Sequence, residues 1–517
     1  MPDTVPLSPV LFLERAASVF VDRKAIIDGD RKFTYREFGE RAHRLAGLLC
    51  DAGIRPGDRV AAICTNSHVM LEMHNGVPLA GAVLVPVNIR LSVAEMAYIV
   101  EHSGARLLIA TQEHAEEAET VSQRTGVTLL AAGSPDSEYE RRLAASRCKL
   151  VAPTDESSLL AINYTSGSTG RPRGVMYSHR GAYLQSLAVA YHARLGLDSS
   201  YLWTLPMFHC NGWCFTWAVT AAGGTHICQR RIDPAKIWLT MCNGGVTHMS
   251  GAPTVLTMIA EAADSMSDHK PPRLIHVDTG GAPPSPALLA RLANLNMRVT
   301  HLYGLTETYG PAVVNEWHPE WSEKPVAEQW RLNARQGIGN IVTQLVTVFD
   351  SGGQEVPSDG KTLGEIVIRG NNVMMGYYRD EEATRSAELN GCFRTGDLGV
   401  RHPDGYIELR DRAKDIIIIG GENVSSVEIE RVLVEHPAVL EAAVIGRADS
   451  YWGEVPVAFV GLKPGWTATE AELIDFVRCR IAHFKAPKRI WFEELPKTST
   501  GKVQKHVLRA RSAMPEE

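Results

Sequence analysis

A chain of 517 residues is too long for one ordinary core and requires at least two domains. Its 44% hydrophobic and 22% charged residues are the make-up of a water-soluble globular protein. The 53 basic and 59 acidic residues leave a net charge of −6, without the basic footprint of a nucleic-acid binder.

Taken in chain order, positions 1–9 lack the basic start and apolar run of a signal peptide. No later stretch approaches the roughly twenty apolar residues of a membrane span, so the cytoplasm is the expected compartment. Positions 33–49 predict a capped amphipathic helix. Thr34 and Glu37 form a capping box, Phe38, Ala42, Leu45 and Leu49 share a stripe, and Gly53 ends it. Short apolar runs at 60–63, 82–87 and 106–110 alternate with helical patterns, and the alternation resumes at 159–163, 225–228, 274–278 and 299–303. Strands interleaved with helices predict layered α/β sheets, largely parallel. From 345 to 410 the pattern changes to Gly-rich turns between short β-type runs such as 365–369, which predicts an antiparallel or barrel-like subdomain. After Asp411 a compact α+β pattern follows. Positions 427–435 and 469–481 read as helices, and 440–445 and 455–462 as strands. The expected organisation is therefore an N-terminal domain over 1–410, a hinge at 411–414 and a small mobile C-terminal domain over 415–517.

Nine irregularly spaced cysteines fit reduced thiols. Cys210 and Cys214 flank a short run beside His209, but no second ligand pair stands at a metal-site spacing.

The most informative segment follows the strand at 159–163. From Tyr164 to Gly174 it reads Tyr-Thr-Ser-Gly-Ser-Thr-Gly-Arg-Pro-Arg-Gly. Such a loop offers backbone N–H groups and hydroxyls to an anion, and its glycines admit a phosphate closely. Arg171 and Arg173 add positive charge. It is not the common nucleotide-kinase loop, because Gly-Lys-Ser/Thr is absent at the required spacing. A plain Gly/Ser surface turn is the alternative on composition alone.

Four more motifs stand in order after it: Tyr303-Gly-Leu-Thr-Glu-Thr308, Arg394-Thr-Gly-Asp397, Asp411-Arg-Ala-Lys-Asp415 and Pro496-Lys-Thr-Ser-Thr-Gly-Lys502. Together with the loop they resemble the adenylate-forming superfamily of acyl-CoA synthetases, peptide-synthetase adenylation domains and firefly luciferase, from about Phe33 to Leu508. The resemblance implies that Thr165, Ser166, Gly167, Ser168, Thr169, Gly170 and Arg173 hold the ATP phosphates, with Arg173 where most relatives carry Lys. It implies that Thr306 reaches a phosphate oxygen and that Glu307 holds Mg²⁺ shared with the phosphates. Tyr303, Gly304, Gly280, Gly281 and Ala282 would line the adenine and acyl slots, although Tyr303 could equally be a core aromatic. Asp397 would take the ribose hydroxyls, Arg412 would touch ribose or phosphate, and Lys414 would be the hinge residue. Lys502 is the implied catalytic cation, stabilising charge that builds at the α-phosphate as the carboxylate attacks. Gly420 and Gly421 would line the pantetheine path of CoA.

The run Pro206-Met-Phe-His209-Cys-Asn-Gly-Trp213 bears on the acid. Where amino-acid-activating relatives place Asp, this chain has His209, which removes the partner for a substrate ammonium. His209 is implied to stand at the substrate carboxylate. Trp213, with Phe215 and Trp217 beside it, suggests an apolar acyl pocket or plain core packing. The implied activity is an ATP-dependent acyl-CoA ligase, with a medium-chain fatty acid as the expected substrate. An aryl or short branched acid, an acyl-AMP ligase loading an acyl carrier protein, and a silent nucleotide-binding homologue are the alternatives. A homodimer is left open.

Overall fold

The computed structural model describes residues 5–147, 155–165, 172–266, 269–281, 284, 286–419, 422–449, 451–497 and 503–512. It divides into two compact units, one of residues 1–346 with 368–393 and one of 347–367 with 394–517.

Two sheets organise the first unit. The nine-stranded sheet runs Ile338–Gly339, Gly310–Val314, Met297–Leu305, Ile275–Thr279, His248–Gly251, Ser200–Trp203, Thr225–Cys228, Lys24–Asp28, Arg31–Thr34. Its centre, from Met297–Leu305 to Lys24–Asp28, is parallel, and antiparallel neighbours close both ends. The six-stranded sheet runs Thr128–Ala132, Ala105–Thr111, Arg59–Ile63, Val83–Pro86, Leu159–Thr165, Arg173–Ser178 and is parallel but for the last pair. The apolar runs expected as strands are strands, and helices cover them as an α/β layering requires.

The expected capped helix spans Tyr35–Asp51. Thr34 Oγ1 accepts from Glu37 N at 3.2 Å, and the Glu37 carboxylate accepts from Thr34 N at 2.7 Å. Phe38, Ala42, Leu45 and Leu49 are buried, so the stripe faces the core. Gly53, at φ +80°, takes the left-handed conformation that ends it.

One part of this unit was not foreseeable from patterning. Asp28, Arg41, His68, Glu72 and Glu140 meet in the interior, with Arg31 and Arg230 at the rim. The His68 ring donates to Asp28 at 2.6 Å, Arg41 reaches Glu72 at 2.5 Å and Glu140 at 2.9 Å, and the Tyr139 hydroxyl donates to Glu72 at 2.6 Å. Burial opposes ionisation of Asp28 and Glu140. The hydrogen bonds from His68, Arg230, Arg41 and Arg31 outweigh it and hold both carboxyls well below their ordinary range. Their stabilising contribution is therefore complete above the unfolded range near pH ~4 and is lost as pH falls through the folded values. Replacing Arg41 by alanine leaves Glu72, whose side chain is 1% exposed, with the Tyr139 hydroxyl but without its cation. Urea unfolding should then show a loss of about 3–5 kcal/mol, the range for breaking a buried pair from one side.

The second unit holds the greater part of a five-stranded sheet of Leu345–Phe349, Gly364–Arg369, Cys392–Arg401, Glu388–Leu389 and Ile407–Arg412. Cys392–Arg401 pairs antiparallel with Glu388–Leu389 and Ile407–Arg412, in keeping with the Gly-rich turn pattern. A further sheet of Glu422–Val424, Ile417–Ile419, Gly453–Leu462, Val439–Asp449 and Ile490–Phe492 packs with helices Ser426–Val434 and Glu470–Arg478 around a small core of Ile417, Ile429, Leu433, Val444, Ala458 and Leu473. Among the described residues no helix is long and apolar enough to cross a membrane. The eight described cysteines are all free.

Candidate functional site

In the first unit the strand Leu159–Thr165 turns back antiparallel into Arg173–Ser178, with Thr165 opposite Arg173. The Gly/Ser/Thr run is thus the connection of a β-hairpin. Ser166, Gly167, Ser168, Thr169 and Gly170 lie outside the described residues, but both stems are fixed. The segment after it in space comes from far along the chain: Tyr378 N donates to Gly174 O at 2.7 Å, and Met375 N to Met176 O at 3.0 Å. This brings the Tyr377 ring under Arg173, with the guanidinium carbon 5.4 Å from the ring centroid, while Asp380 lies 3.8 Å from Arg173 Nε.

The Tyr377 hydroxyl donates to Glu307 Oε1 at 2.8 Å, and Glu307 O accepts from Met374 N at 2.8 Å. Burial first, and then the Glu307 charge, push the Tyr377 phenol well up, so it stays a donor. Thr306 and Glu307 sit on the 3-10 turn Thr306–Thr308 that ends the strand Met297–Leu305. The Tyr177 hydroxyl donates to Thr306 O at 2.6 Å, and its ring stacks on Tyr309 at 3.9 Å. The hairpin stem and the 303–308 motif are thereby joined through Tyr177 and Tyr377. Sequence reasoning missed Tyr377. The signal was present in Gly376, at φ +137°, followed by two tyrosines, but no periodicity tied that pair to Glu307.

Gly304 has a steric reason. A Cβ there would stand 1.9 Å from Gly310 O and 2.9 Å from Ala312 N, so only a hydrogen fits between the paired backbones. Tyr303 is half-buried and packs against Ala312, Val313 and Ile368, so one face of it is core. Gly281 is exposed at φ +84°, and Ala282 lies outside the described residues.

His209 precedes a turn of unusual hand. Cys210, Asn211, Gly212, Trp213 and Cys214 have φ of 46°, 46°, 60°, 52° and 63°, five left-handed residues in succession. Such backbone costs about 1–2 kcal/mol per non-glycine residue and persists only under outside support. Support comes from Asn163, whose amide exchanges hydrogen bonds with Asn211, and from Cys214 Sγ, which donates to Tyr309 O at 3.6 Å. The turn sets the Trp213 indole against Gly280 and Gly310, where added Cβ atoms would lie 3.2 Å and 3.1 Å from it. Phe215 stacks on Tyr201 and Trp217 donates to His74 O, both at 1% exposure, so Trp217 is core. Cys210 Sγ lies 3.8 Å from His209 Nε2, and burial pushes its thiol up to about 12. The described residues contain no cluster of three or more His, Cys, Asp or Glu suited to a metal.

In the second unit, Asp397 and Arg412 face each other across paired strands, with Arg412 Nε 3.3 Å from Asp397 Oδ1. Lys414 follows, its O accepting from Arg509 at 3.2 Å. Burial first, and then Arg412, lower its ammonium below the ordinary value. Gly420, Gly421 and Lys502 lie outside the described residues. The ends of the Lys502 loop are nonetheless closed by a bridge between Lys497 and Val503 and by Gln504 N donating to Pro496 O at 2.8 Å.

Residues 13–378 match the model for the AMP-binding enzyme family, and residues 428–502 match that for the AMP-binding enzyme C-terminal domain. The acetate/butyrate–CoA ligase AAE7, peroxisomal, of Arabidopsis thaliana is 42% identical over 98% of this chain and 94% of that protein. 4-Hydroxybutyrate–CoA ligase 2 of Metallosphaera sedula is 42% identical over 97% of this chain and 94% of its own length. Among solved structures, ATP-bound MatB from Rhodopseudomonas palustris superposes with a TM-score of 0.85 at 29% identity, covering 98% of this chain and 99% of that one. With the family model spanning most of its length and relatives aligned nearly end to end, the chain belongs to the AMP-binding enzyme family.

Proposed function

We propose that the protein is an ATP-dependent acyl-CoA ligase acting on a short carboxylic acid, which it converts to acyl-AMP and pyrophosphate and then to acyl-CoA and AMP. The observation that carries this reading is the joining of the Gly/Ser/Thr hairpin to the 303–308 motif through the Glu307–Tyr377 hydrogen bond and the Arg173–Tyr377 stack. An anion-binding loop and a half-buried carboxylate held at its stem suit a triphosphate with its counter-ion. Glu307 fits Mg²⁺ in the way such a hard cation is usually held, by one carboxylate and substrate phosphates. When bound, the ion would supply charge neutralisation at those phosphates. The protein's own part is to hold Glu307 by Tyr377, to place cationic Arg173 at the loop, and to present His209 toward the acid.

In the second unit the Asp397 carboxylate is suited to accept from ribose hydroxyls, and Arg412 lies beside it. Retention of Glu307, Asp397, Arg412 and Lys502 disfavours a silent nucleotide-binding homologue. The medium-chain expectation gives way to a shorter acid for two reasons. Trp213 fills the space against Gly280 and Gly310, and the two named relatives are ligases of two- to four-carbon acids.

The test is pyrophosphate release with ATP, Mg²⁺ and a panel from acetate to decanoate, with and without CoA. AMP and pyrophosphate, CoA-dependent thioester and a preference for two to four carbons are expected. ADP as product would overturn the reaction. An optimum at eight carbons or more would overturn the short acid.

A further inference from the structure

His209 lies in a segment that is gripped from outside its own sheet. The strand Ser200–Trp203 belongs to the nine-stranded sheet, and beyond Trp203 the chain leaves that sheet toward His209. Asn66 stands just past the end of Arg59–Ile63, a strand of the six-stranded sheet. Its side chain donates to Trp203 O at 3.0 Å and to Leu205 O at 2.9 Å, and it accepts from Met207 N at 2.8 Å. The donors and the oxygen of one amide are thereby all committed to the stretch from Trp203 to Met207. Asn66, Leu205 and Met207 are buried, so bulk water does not stand in for these bonds.

The far side of His209 is held in the same manner. Asn163, on the strand Leu159–Thr165 of the six-stranded sheet, donates from its amide to Asn211 Oδ1 and accepts from Asn211 N at 3.1 Å. Two positions further along that strand, Thr165 opens the Gly/Ser/Thr hairpin. Between the two clamps His209 N donates to Pro206 O at 3.1 Å, and His209 O accepts from Gly212 N at 2.8 Å. The backbone of His209 is thus fixed, while its ring is half-buried. Cys210 Sγ adds a contact to Thr306 Oγ1 at 3.5 Å. Arg59–Ile63 and Leu159–Thr165 run parallel on either side of Val83–Pro86, so both asparagines stand toward the same end of one sheet. Apolar packing alone would hold two sheets together; amides bound to backbone also fix direction and distance.

We propose that Asn66 and Asn163 are positioning residues for the adenylation step: reaching from the sheet that carries the phosphate hairpin, they set where His209, and with it the acid carboxylate, stands relative to the ATP phosphates. The inference rests on the ligase reading and deepens it. Attack of a free carboxylate on the α-phosphate joins two molecules, and its rate depends on how they are held. A displacement of about 1 Å can cost about 100-fold. In acyl-AMP the carboxyl group and the phosphate already belong to one molecule, so thioester formation makes no such demand on the clamps. The two half-reactions therefore separate a positioning role from a merely structural one, which would weaken both.

The experiment compares the wild type with Asn66→Ala, Asn163→Ala and Asn163→Asp in three measurements. These are butyrate-dependent ATP–pyrophosphate exchange, the Kd for ATP by calorimetry without acid, and thioester formation from supplied butyryl-AMP and CoA. Each alanine variant should lose about 30- to 100-fold in kcat/KM for butyrate in the exchange, with the Kd for ATP and the thioester rate within about threefold of wild type. Asn163→Asp keeps an acceptor for Asn211 N and offers another to Asn211 Nδ2, which has no partner in the structure, so it should recover most of the loss. Should Asn66→Ala fail to fold, the two Asn163 variants still decide. Exchange absent from the wild type with every acid of two to ten carbons takes down the ligase reading together with the clamps. Wild-type exchange in the alanine variants, equal losses in both half-reactions, a rise in the Kd for ATP that matches the loss in exchange, or an aspartate variant no better than alanine overturns the positioning role and leaves the ligase reading standing.

Discussion

Lys502→Ala is expected to reduce acyl-adenylate formation about 100- to 1,000-fold, the usual loss when one preorganised charge partner of a transition state is removed. Conversion of supplied acyl-AMP to acyl-CoA should fall far less, because no charge builds on a leaving pyrophosphate in that step. The structure narrows the choice of lysine. In the second unit Lys497 is paired with Glu441 at 2.6 Å, and Lys505 is paired with Glu430 at 2.7 Å and donates to Ser426. Both are spent on the fold. Lys502 lies outside the described residues, in the sequence segment bounded by the Lys497–Val503 bridge. Single-turnover assays of the two half-reactions measure the split. Equal losses in both would remove Lys502 from its assigned role and make it an ordinary structural residue.

The second large effect is steric. Gly304→Ala puts a methyl group 1.9 Å from the Gly310 carbonyl oxygen, on backbone that cannot rotate away. The strands Met297–Leu305 and Gly310–Val314 would have to part by more than an ångström, and the turn bearing Thr306 and Glu307 hangs from that pairing. Pyrophosphate release should fall at least 100-fold, since a displacement of about 1 Å at a reacting centre can cost that much. The melting temperature should drop by only a few degrees, because one junction of a large unit is disturbed. Retention of more than a tenth of the activity would mean that the Glu307 carboxylate is not tied to the strand pairing as described.

How far the sequence carried the reader depended on whether the signal was local. The Thr34–Glu37 cap and the apolar runs were legible because each is written within a few neighbouring positions. The loop stem at Thr165 and Arg173 and the turn at Thr306 were legible because motif order survives in the chain. The buried ionic cluster was not, since Asp28, Arg41, His68, Glu140 and Arg230 each look like surface residues until sheet order gathers them. Tyr377 was invisible for the same reason: it lies in no motif, and its partners Glu307 and Arg173 come from distant segments of the chain. The left-handed run at 210–214 contradicts the preferences of most of its own residues, so no propensity argument could find it.

The edge of the nine-stranded sheet has a consequence for biosynthesis. Lys24–Asp28 has its parallel neighbour in Thr225–Cys228, and Thr225 reaches back to Lys24 across 201 positions of chain. At about 5–20 residues per second, a ribosome leaves Ala25, Ile26 and Ile27 without their neighbour for roughly 10–40 s. During that interval the hairpin that Lys24–Asp28 forms with Arg31–Thr34 presents one open edge with apolar residues along it. The protein's yield in a cell should therefore depend on holding factors at the exit tunnel more than the stability of the finished enzyme would suggest.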